Sequence, residues 1–319
     1  MHILANIINL LLPVFPIKKI RLVGRWQFAT FLLMAILSGC VKAESKEAPI
    51  DNFQLKQPAV AYNPRSFSLE RSSVLSRKEI TEDLRLLRVS GFRSLVTYGS
   101  KGILGSIPEM ARNVGFDGVV IMGIWDPFSK EEWSNALAQA PYVDGYCLGN
   151  EGLGVRYNPN ELAAKMDELR RLTGHPVTTS EPIDSYLTGP YRDWLLTHSD
   201  WLFPLAHPFW ADQSEPAMAV DWIVARHDYL TANTGRNVIL KEAGYPSGGV
   251  ERISEETQLA FFKVLESKGL SFFYFEAFDQ PWKKNILRHH EVEAHWGIYQ
   301  SDGTPKKVAE WLSERWSKR

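Results

Sequence analysis

The feature of this chain that most limits its possible folds is a unit that recurs from residue 59 to the C-terminus. Each unit is a short, almost continuously apolar run, followed by a loop and usually by a helical pattern of apolar residues. Apolar runs of this kind are typical of parallel strands that are buried on both faces. The eight candidate strands cover residues 59–62, 94–98, 118–124, 143–148, 177–180, 201–206, 237–241 and 271–275.

The candidate helices carry recognisable start and stop signals. Residues 77–90 place apolar side chains at 3.6-residue spacing, and Gly91 stops this pattern. Residues 254–267 begin with Ser254, a candidate N-cap, and have an acidic first turn. Further helices are predicted over residues 160–172, with Gly174 as the stop, and over residues 306–316.

Eight such units match the size and order of a (β/α)8 barrel, which typically takes about 250 residues. An open doubly wound sheet is the alternative, but it needs a Gly-rich phosphate-binding turn after the first strand. This chain has Tyr62-Asn63-Pro64-Arg65 there instead. The sequence therefore predicts an α/β protein with a single (β/α)8 TIM barrel over residues 58–319.

The first residues predict export and a lipid anchor. Residues 28–37 are mostly apolar, follow a basic stretch and end in Leu37-Ser38-Gly39-Cys40, as in a secretory signal that is too short to span a membrane. The ending resembles the bacterial lipobox, whose cysteine is acylated and becomes the mature N-terminus. We therefore expect a signal segment over residues 1–39, lipidation at Cys40, and a polar tether over residues 40–57. The expected location is the bacterial cell envelope, with the outer membrane preferred; a plain membrane anchor is the alternative.

Charge and ligand patterns exclude several classes of function. The chain has 36 Lys and Arg against 37 Asp and Glu, and this balance does not favour nucleic acid as a partner. The histidines His289, His290 and His295 lack the spacing of a metal-ligand set, so neither a metal nor a cofactor is expected. Cys147 lies inside a predicted strand, where a nucleophilic thiol would be badly placed.

Carboxylates stand at the ends of two predicted strands, where the active sites of such barrels form. Glu151 follows the fourth strand and Glu242 the seventh, so the two side chains can face each other. Glycoside hydrolysis uses such a pair, one to protonate the leaving oxygen and the other to attack or stabilise the sugar. Asn150, next to Glu151, can hydrogen-bond the 2-hydroxyl of the sugar. Either glutamate alone could instead be a salt-bridged residue at the rim.

Five segments resemble the signature segments of glycoside hydrolase family 17, the β-1,3-glucanase family, and most of all its bacterial branch. They are LGNEGL (148–153), TTSEP (178–182), LKEAGYPSGG (240–249), FEAFDQPWK (275–283) and EAHWGIYQSDGTPK (293–306). The resemblance covers about residues 58–316 and implies a retaining mechanism without metal, with Glu151 as acid/base and Glu242 as nucleophile. It also implies glucan-binding roles for Tyr62, Tyr98, His207, Trp210, Glu276 and Lys283.

The chain departs from the family pattern at two positions. The family usually has Trp where Tyr245 stands, and Tyr245 is expected to keep an aromatic platform for the sugar. A small or polar residue is common where Lys241 stands, and strand alternation predicts that this lysine points away from the site in a structural role. Glu181, after the fifth strand, has two possible roles: it could contact a sugar hydroxyl or form an ion pair with a neighbouring cation.

Three functions remain compatible with these residues. Hydrolysis of β-1,3-glucan is the first, and transglycosylation is the second, because a sugar hydroxyl can intercept the glycosyl-enzyme instead of water. Trp125, Trp210 and Trp282 are candidate platforms for such an acceptor. A catalytically idle glucan-binding lipoprotein is the third, and the presence of both glutamates argues against it. The expected partner is a β-1,3-glucan polysaccharide or oligosaccharide, bound by a monomer.

Overall fold

The computed structural model describes residues 55–68, 75–286 and 291–318. The predicted signal segment, the predicted lipidation site Cys40 and residues 41–54 of the predicted tether lie outside the described residues. Within the described part of the chain, no helix has the length and apolar character needed to cross a membrane.

Eight short parallel strands form one sheet, and each overlaps one of the eight runs predicted from the sequence. All eight are buried, which explains why most of their residues are apolar without alternation. They are β1 (Ala59–Ala61), β2 (Ser94–Val96), β3 (Val120–Ile124), β4 (Gly145–Leu148), β5 (Val177–Thr178), β6 (Leu205–Ala206), β7 (Leu240–Ala243) and β8 (Phe272–Tyr274).

The sheet is curled, and its edge strands are β5 and β6. Its order is β5-β4-β3-β2-β1-β8-β7-β6, which follows the chain and contains no reversal of the doubly wound kind. Pro182, after β5, forms a parallel bridge with Leu205 of β6, and the Leu205 N–H donates to the carbonyl of Glu181 at 3.0 Å. This arrangement is consistent with the predicted (β/α)8 barrel.

The helices begin and end at capping residues. The Ser76 hydroxyl accepts the Glu79 N–H, and the Glu79 carboxylate accepts the Ser76 N–H. Gly174 ends the fourth helix in the left-handed conformation with a φ of 72°, and Ser254 caps the eighth, as predicted. The α-helices of the described residues are α1 (Arg77–Val89), α2 (Ile107–Asn113), α3 (Lys130–Ala138), α4 (Pro159–Thr173), α5 (Ile183–Leu187), α6 (Arg192–His198), α7 (Pro216–Thr234), α8 (Glu255–Ser267), α9 (Lys283–Ile286) and α10 (Lys307–Trp316).

Strand side chains alternate between two apolar cores. On β1, Val60 belongs to the core between the sheet and the helices, whereas Ala59 and Ala61 belong to a core enclosed by the sheet. Because packed side chains fill the enclosed space, a substrate site has to lie at one end of the strands. The enclosed core consists of Ala59, Ala61, Val96, Val119, Ile121, Cys147, Trp201, Phe203, Ile239, Phe273, Phe275 and Trp296.

Candidate active site

The carboxyl ends of several strands bring polar and charged side chains together at one end of the sheet. Most come from positions predicted as site residues, and they surround the carboxylate of Glu242. The group consists of Tyr98 after β2, Asn150 and Glu151 after β4, His207 after β6, Lys241 and Glu242 in β7, and Glu276 and Lys283 after β8.

A β-bulge in β7 places two consecutive charged residues in this site. Leu240 pairs with Phe272 and Ala243 with Tyr274, so β7 has one residue more than β8 over this stretch. Leu240 and Ala243 both pack on the helix side of the sheet, and Lys241 and Glu242 between them both face inwards. The prediction that Lys241 points away from the site is therefore wrong, because the extra residue interrupts the alternation on which it rested.

Glu242 is buried and surrounded by positive charge. Its Oε2 accepts a hydrogen bond from His207 Nε2 at 2.9 Å, and its Oε1 lies 3.5 Å from the ammonium of Lys241. Burial raises the pKa of this carboxyl, but Lys241, His207 and Lys283 outweigh burial and lower it to about 2. Glu242 is therefore ionised across the neutral range.

Glu151 lies in a tight turn at the end of β4. Its backbone is left-handed, with a φ of 50°, and its N–H donates to the carbonyl of Ser180 at 2.9 Å. The carboxylate of Glu181 accepts the next two N–H groups, of Gly152 at 2.9 Å and Leu153 at 2.8 Å. Glu181 thus holds the turn that carries Glu151, which differs from both roles considered from the sequence.

Glu151 is a carboxyl kept in its protonated form. Burial is the largest effect and raises its pKa, the charges of Glu242 and Glu181 raise it further, and the net value is about 8. At neutral pH one carboxyl of the pair therefore carries a proton and the other carries a charge. Pairs whose pKa values are pushed apart in this way can divide acid and base roles between them.

A second ion pair borders the site on the β8 side. Lys283 Nζ lies 2.5 Å from Oε1 of Glu276 and 4.5 Å from the ring centroid of Phe275. Burial raises the pKa of Glu276 to about 7, although Lys283 lowers it. The charge of Glu293 raises the pKa of both Glu151 and Glu276, so Glu293 also lies near the site. Glu293 was not predicted as a site residue, although it begins the fifth signature segment.

Aromatic side chains border the charged group. Trp210 is 39% exposed and packs against Phe209 and the buried Trp296, which also contacts His207. Trp125, after β3, is 41% exposed, and the guanidinium of Arg156 lies 4.2 Å from its ring centroid. Both indoles therefore offer surface to a ligand, and their use as sugar platforms stays a prediction.

The third predicted platform, Trp282, is partly buried. It donates its indole N–H to Gln280 Oε1 at 2.6 Å and contacts Phe67 edge to face. These contacts fix the ring and leave less of its surface open to a ligand.

Two predicted glucan-binding tyrosines lie elsewhere. Tyr62 is 1% exposed on the helix side of the sheet, where its hydroxyl donates to the buried Asp83 at 3.1 Å. Tyr245 is fully buried on the same side, stacks on Phe261 of α8 and donates to the carbonyl of Ser214. Their placement corrects both predictions, because strand alternation turns these rings towards the helices and away from the site.

Replacing Tyr62 with phenylalanine tests this correction. Tyr62→Phe is expected to lower the free energy of unfolding by about 2 kcal/mol, since Asp83 loses a buried hydrogen bond. KM for a glucan substrate is expected to stay unchanged. Tyr98→Phe is the matched comparison, because the Tyr98 hydroxyl lies beside Glu242 and its loss should alter kinetics. Denaturant unfolding and steady-state kinetics measure both effects; a raised KM in Tyr62→Phe would restore the original assignment.

Within residues 55–68, 75–286 and 291–318, no group of three or more His, Cys, Asp or Glu side chains could hold a metal ion. His295 lies near Asp279 and Glu291, at 3.9 and 3.7 Å, while His289 and His290 lie outside the described residues. Cys147 is buried inside β4, and burial raises the pKa of its thiol to about 11.

Comparison with known proteins gives a consistent set of relatives. A family model described as "BtgE/BtgC glycoside hydrolase domain" matches residues 59–297. A glucan 1,3-beta-glucosidase of Arthroderma benhamiae is 26% identical over 259 residues, covering 72% of this chain and 83% of the relative.

Solved structures are similar at the level of the fold. An endo-laminarinase from Formosa Hel1_33_131 superimposes with a TM-score of 0.67 at 19% identity, over 81% of this chain and 86% of the other. A family 17 beta-1,3-glucanosyltransferase from Rhizomucor miehei does so with a TM-score of 0.63 at 20% identity, over 78% and 95%. An active-site mutant of the latter, in complex with laminaritriose, gives the same values.

Proposed function

The chain belongs to the BtgE/BtgC glycoside hydrolase domain family, and on that basis we propose that it cleaves β-1,3-glucan by a retaining double displacement. Membership confirms the resemblance to family 17 glycosidases seen in the signature segments; the bacterial branch stays a prediction. Glu242 is the proposed nucleophile and Glu151 the proposed acid/base.

The opposite protonation states of Glu151 and Glu242 are the observation that carries this proposal. The ammonium of Lys241 and the hydrogen bond from His207 lower the pKa of Glu242 and keep it charged, whereas burial and neighbouring carboxylates keep the proton on Glu151. A nucleophile has to be ionised before attack, and a general acid has to hold its proton until the leaving oxygen takes it.

These charges allow each step of the reaction to be assigned. Glu242 attacks the anomeric carbon while the bond to the leaving oxygen breaks, and Glu151 transfers its proton to that oxygen. Formation of the ester removes the negative charge of Glu242, one of the groups that raise the pKa of Glu151. Glu151 is then a better base for the incoming water, whose attack releases the sugar with its original configuration.

The fold behind this site is, we infer, a closed (β/α)8 barrel with the site at the carboxyl ends of the strands. The bridge between Pro182 and Leu205 and the packed core inside the sheet support closure. A monomer attached by lipid at Cys40 remains the proposed form of the protein.

Transglycosylation is the second candidate, and the exposed indoles Trp125 and Trp210 favour it. Stacked aromatic platforms can hold an acceptor sugar where water would otherwise attack the glycosyl-enzyme. The two activities use the same nucleophile and acid/base and differ in which hydroxyl arrives first.

Product analysis separates these functions. The protein is incubated with β-1,3-gluco-oligosaccharides of defined length, and the products are identified by mass and linkage. Shorter products only indicate hydrolysis, and products longer than the substrate indicate transfer. Unchanged oligosaccharides in the presence of measurable binding would contradict both catalytic proposals and favour the non-catalytic glucan-binding protein.

The pH dependence of kcat/KM is expected to be bell-shaped. A lowered pKa of about 2 keeps Glu242 ionised above that pH, and a raised pKa of about 8 keeps Glu151 protonated below it. Activity should therefore rise at acidic pH, peak from acidic to near-neutral pH, and fall as Glu151 loses its proton. Initial rates at constant ionic strength, with chemistry shown to limit the rate, measure the profile. A flat profile from roughly pH 5 to 9 would contradict the assignment.

A further inference from the structure

Lys241 is a buried lysine whose ammonium lies near Asn150, which follows β4, and near Glu242 in β7. Its side chain is 1% exposed, Nζ donates to Oδ1 of Asn150, and Nζ lies 3.5 Å from Oε1 of Glu242. The ring of Tyr98 lies against it, with its centroid 4.6 Å from Nζ. Burying an ammonium group destabilises the fold unless an opposite charge or hydrogen bonds compensate it. Lysine is therefore an unfavourable residue at a position that only has to fill space.

The ammonium decides which end of the Asn150 amide faces the cleft. Since an ammonium group can only donate, it requires the amide oxygen rather than the amide nitrogen as its partner. Nδ2 is thereby turned away from Lys241 and makes no hydrogen bond to the described residues. Its N–H groups remain available to donate to a ligand hydroxyl, whereas a flipped amide would present an acceptor there.

The same ammonium compensates the charge of Glu242. Among the single effects that lower the pKa of Glu242 against burial, the charge of Lys241 is the largest. Any nearby cation could compensate the charge of Glu242. The bulge in β7, however, places the ammonium of Lys241 where it contacts both Asn150 and Glu242. Other charged or titratable groups interact electrostatically with Glu242: His207 after β6, Lys283 and Glu276 after β8, Tyr98 after β2, Glu151 after β4 and the thiol of Cys147 in β4.

We propose that Lys241 is a positioning residue for glycosyl transfer that acts through Asn150 and Glu242. It turns the amide nitrogen of Asn150 towards the 2-hydroxyl of the reacting sugar and supplies the counter-charge of the nucleophile. This role rests on the proposed function, because it assumes that Asn150 and Glu242 meet the reacting sugar. A lysine that only stabilised the fold would leave both the use of the 2-hydroxyl and the pH profile unchanged.

The test compares the full-length protein with Lys241→Met, which keeps the length of the side chain and removes its charge and donors. The substrates are an aryl β-laminaribioside and its analogue without the 2-hydroxyl of the reacting sugar. The variant is expected to lose about tenfold or more in kcat/KM on the parent substrate and much less on the deoxy analogue, since the contact with the 2-hydroxyl strengthens in the transition state. The acidic limb of kcat/KM is expected to move up by about one pH unit or more.

Two further variants separate the effect of Lys241 on Asn150 from its effect on the charge of Glu242. Lys241→Gln keeps a donor for Asn150 without the charge, so it should move the acidic limb as Lys241→Met does and retain more of the preference for the 2-hydroxyl. Lys306→Met is the matched control, because Lys306 is another buried lysine, 2.6 Å from Asp279. It should lower the melting temperature and leave the substrate preference and the acidic limb unchanged.

A direct titration of the Glu242 carboxyl, followed by its carbon chemical shift in a labelled protein, gives a readout that needs no turnover. Its pKa should rise in Lys241→Gln, which also serves if Lys241→Met does not fold. Unchanged substrate preference and an unchanged Glu242 titration in a folded Lys241 variant would overturn the role of Lys241. Failure of the proposed function has a different signature: the wild-type protein then leaves both substrates intact, which overturns both proposals together.

Discussion

Replacing Glu242 with alanine is expected to lower kcat for β-1,3-gluco-oligosaccharides by roughly 10⁴-fold or more, the scale seen when other covalent nucleophiles are removed. Without this carboxylate no glycosyl-enzyme can form at the anomeric carbon. An activated α-glycosyl fluoride should fit the space that the side chain leaves. The variant is then expected to couple this donor to an acceptor sugar without hydrolysing the product, which mass and linkage analysis detects.

The controls for this variant follow from the charges around Glu242. Alanine leaves the ammonium of Lys241 buried beside no counter-charge, so the melting temperature should fall. Glu242→Gln keeps the shape of the side chain and separates lost chemistry from lost stability. Glu251→Ala, at an exposed glutamate in the connection between β7 and α8, should behave as the wild type does. Hydrolysis that persists in folded Glu242→Ala would exclude Glu242 as the nucleophile.

Replacing Glu151 with alanine should give a different kinetic pattern. The variant loses its proton donor, so natural oligosaccharides with poor leaving groups should be cleaved very slowly. Substrates with activated aryl leaving groups need little protonation and should still glycosylate Glu242. Added azide should then attack the glycosyl-enzyme and restore turnover, with the β-glycosyl azide as the product.

The configuration of the azide product decides between mechanisms. Two successive inversions, first by Glu242 and then by azide, give the β configuration, whereas a single attack from the opposite face gives the α configuration. The configuration is read from the proton coupling at the anomeric carbon. An α-azide from Glu151→Ala would contradict the retaining mechanism while leaving the fold and the substrate class intact. Glu181→Gln is a useful comparison, since it changes the support of the turn but leaves Glu151 in place.

Local sequence was sufficient to place the eight strands, four of the helices and two carboxylates at strand ends. The predicted runs overlap every strand because strands buried on both faces are mostly apolar. Ser254 and Gly174 act as the helix cap and helix stop predicted for them, because such signals depend only on neighbouring backbone groups. Glu151 and Glu242 could be predicted as a pair because two carboxylates after apolar strands, one of them next to Asn150, match what glycoside hydrolysis requires.

The direction in which side chains point was less predictable. Strict alternation from the buried strand residues would have turned Tyr62 towards the helices, where the structure places it, but the family resemblance suggested a sugar contact instead. For Lys241 the same rule of alternation failed. The extra residue in β7 is defined by how this strand pairs with β8, and the strand sequence alone does not contain that pairing.

The sequence by itself determined the order of the strands and helices, the family, and the presence of two glutamates at strand ends. Only the tertiary structure decided which of them holds a proton, because that depends on burial and on charges from residues that lie far apart in the chain. Lys241 and His207 are far apart in the chain, yet both lie close to the carboxylate of Glu242. Electrostatic interactions act through space and grow as water is excluded, so the roles of Glu151 and Glu242 became distinct only once the strands had brought these groups together.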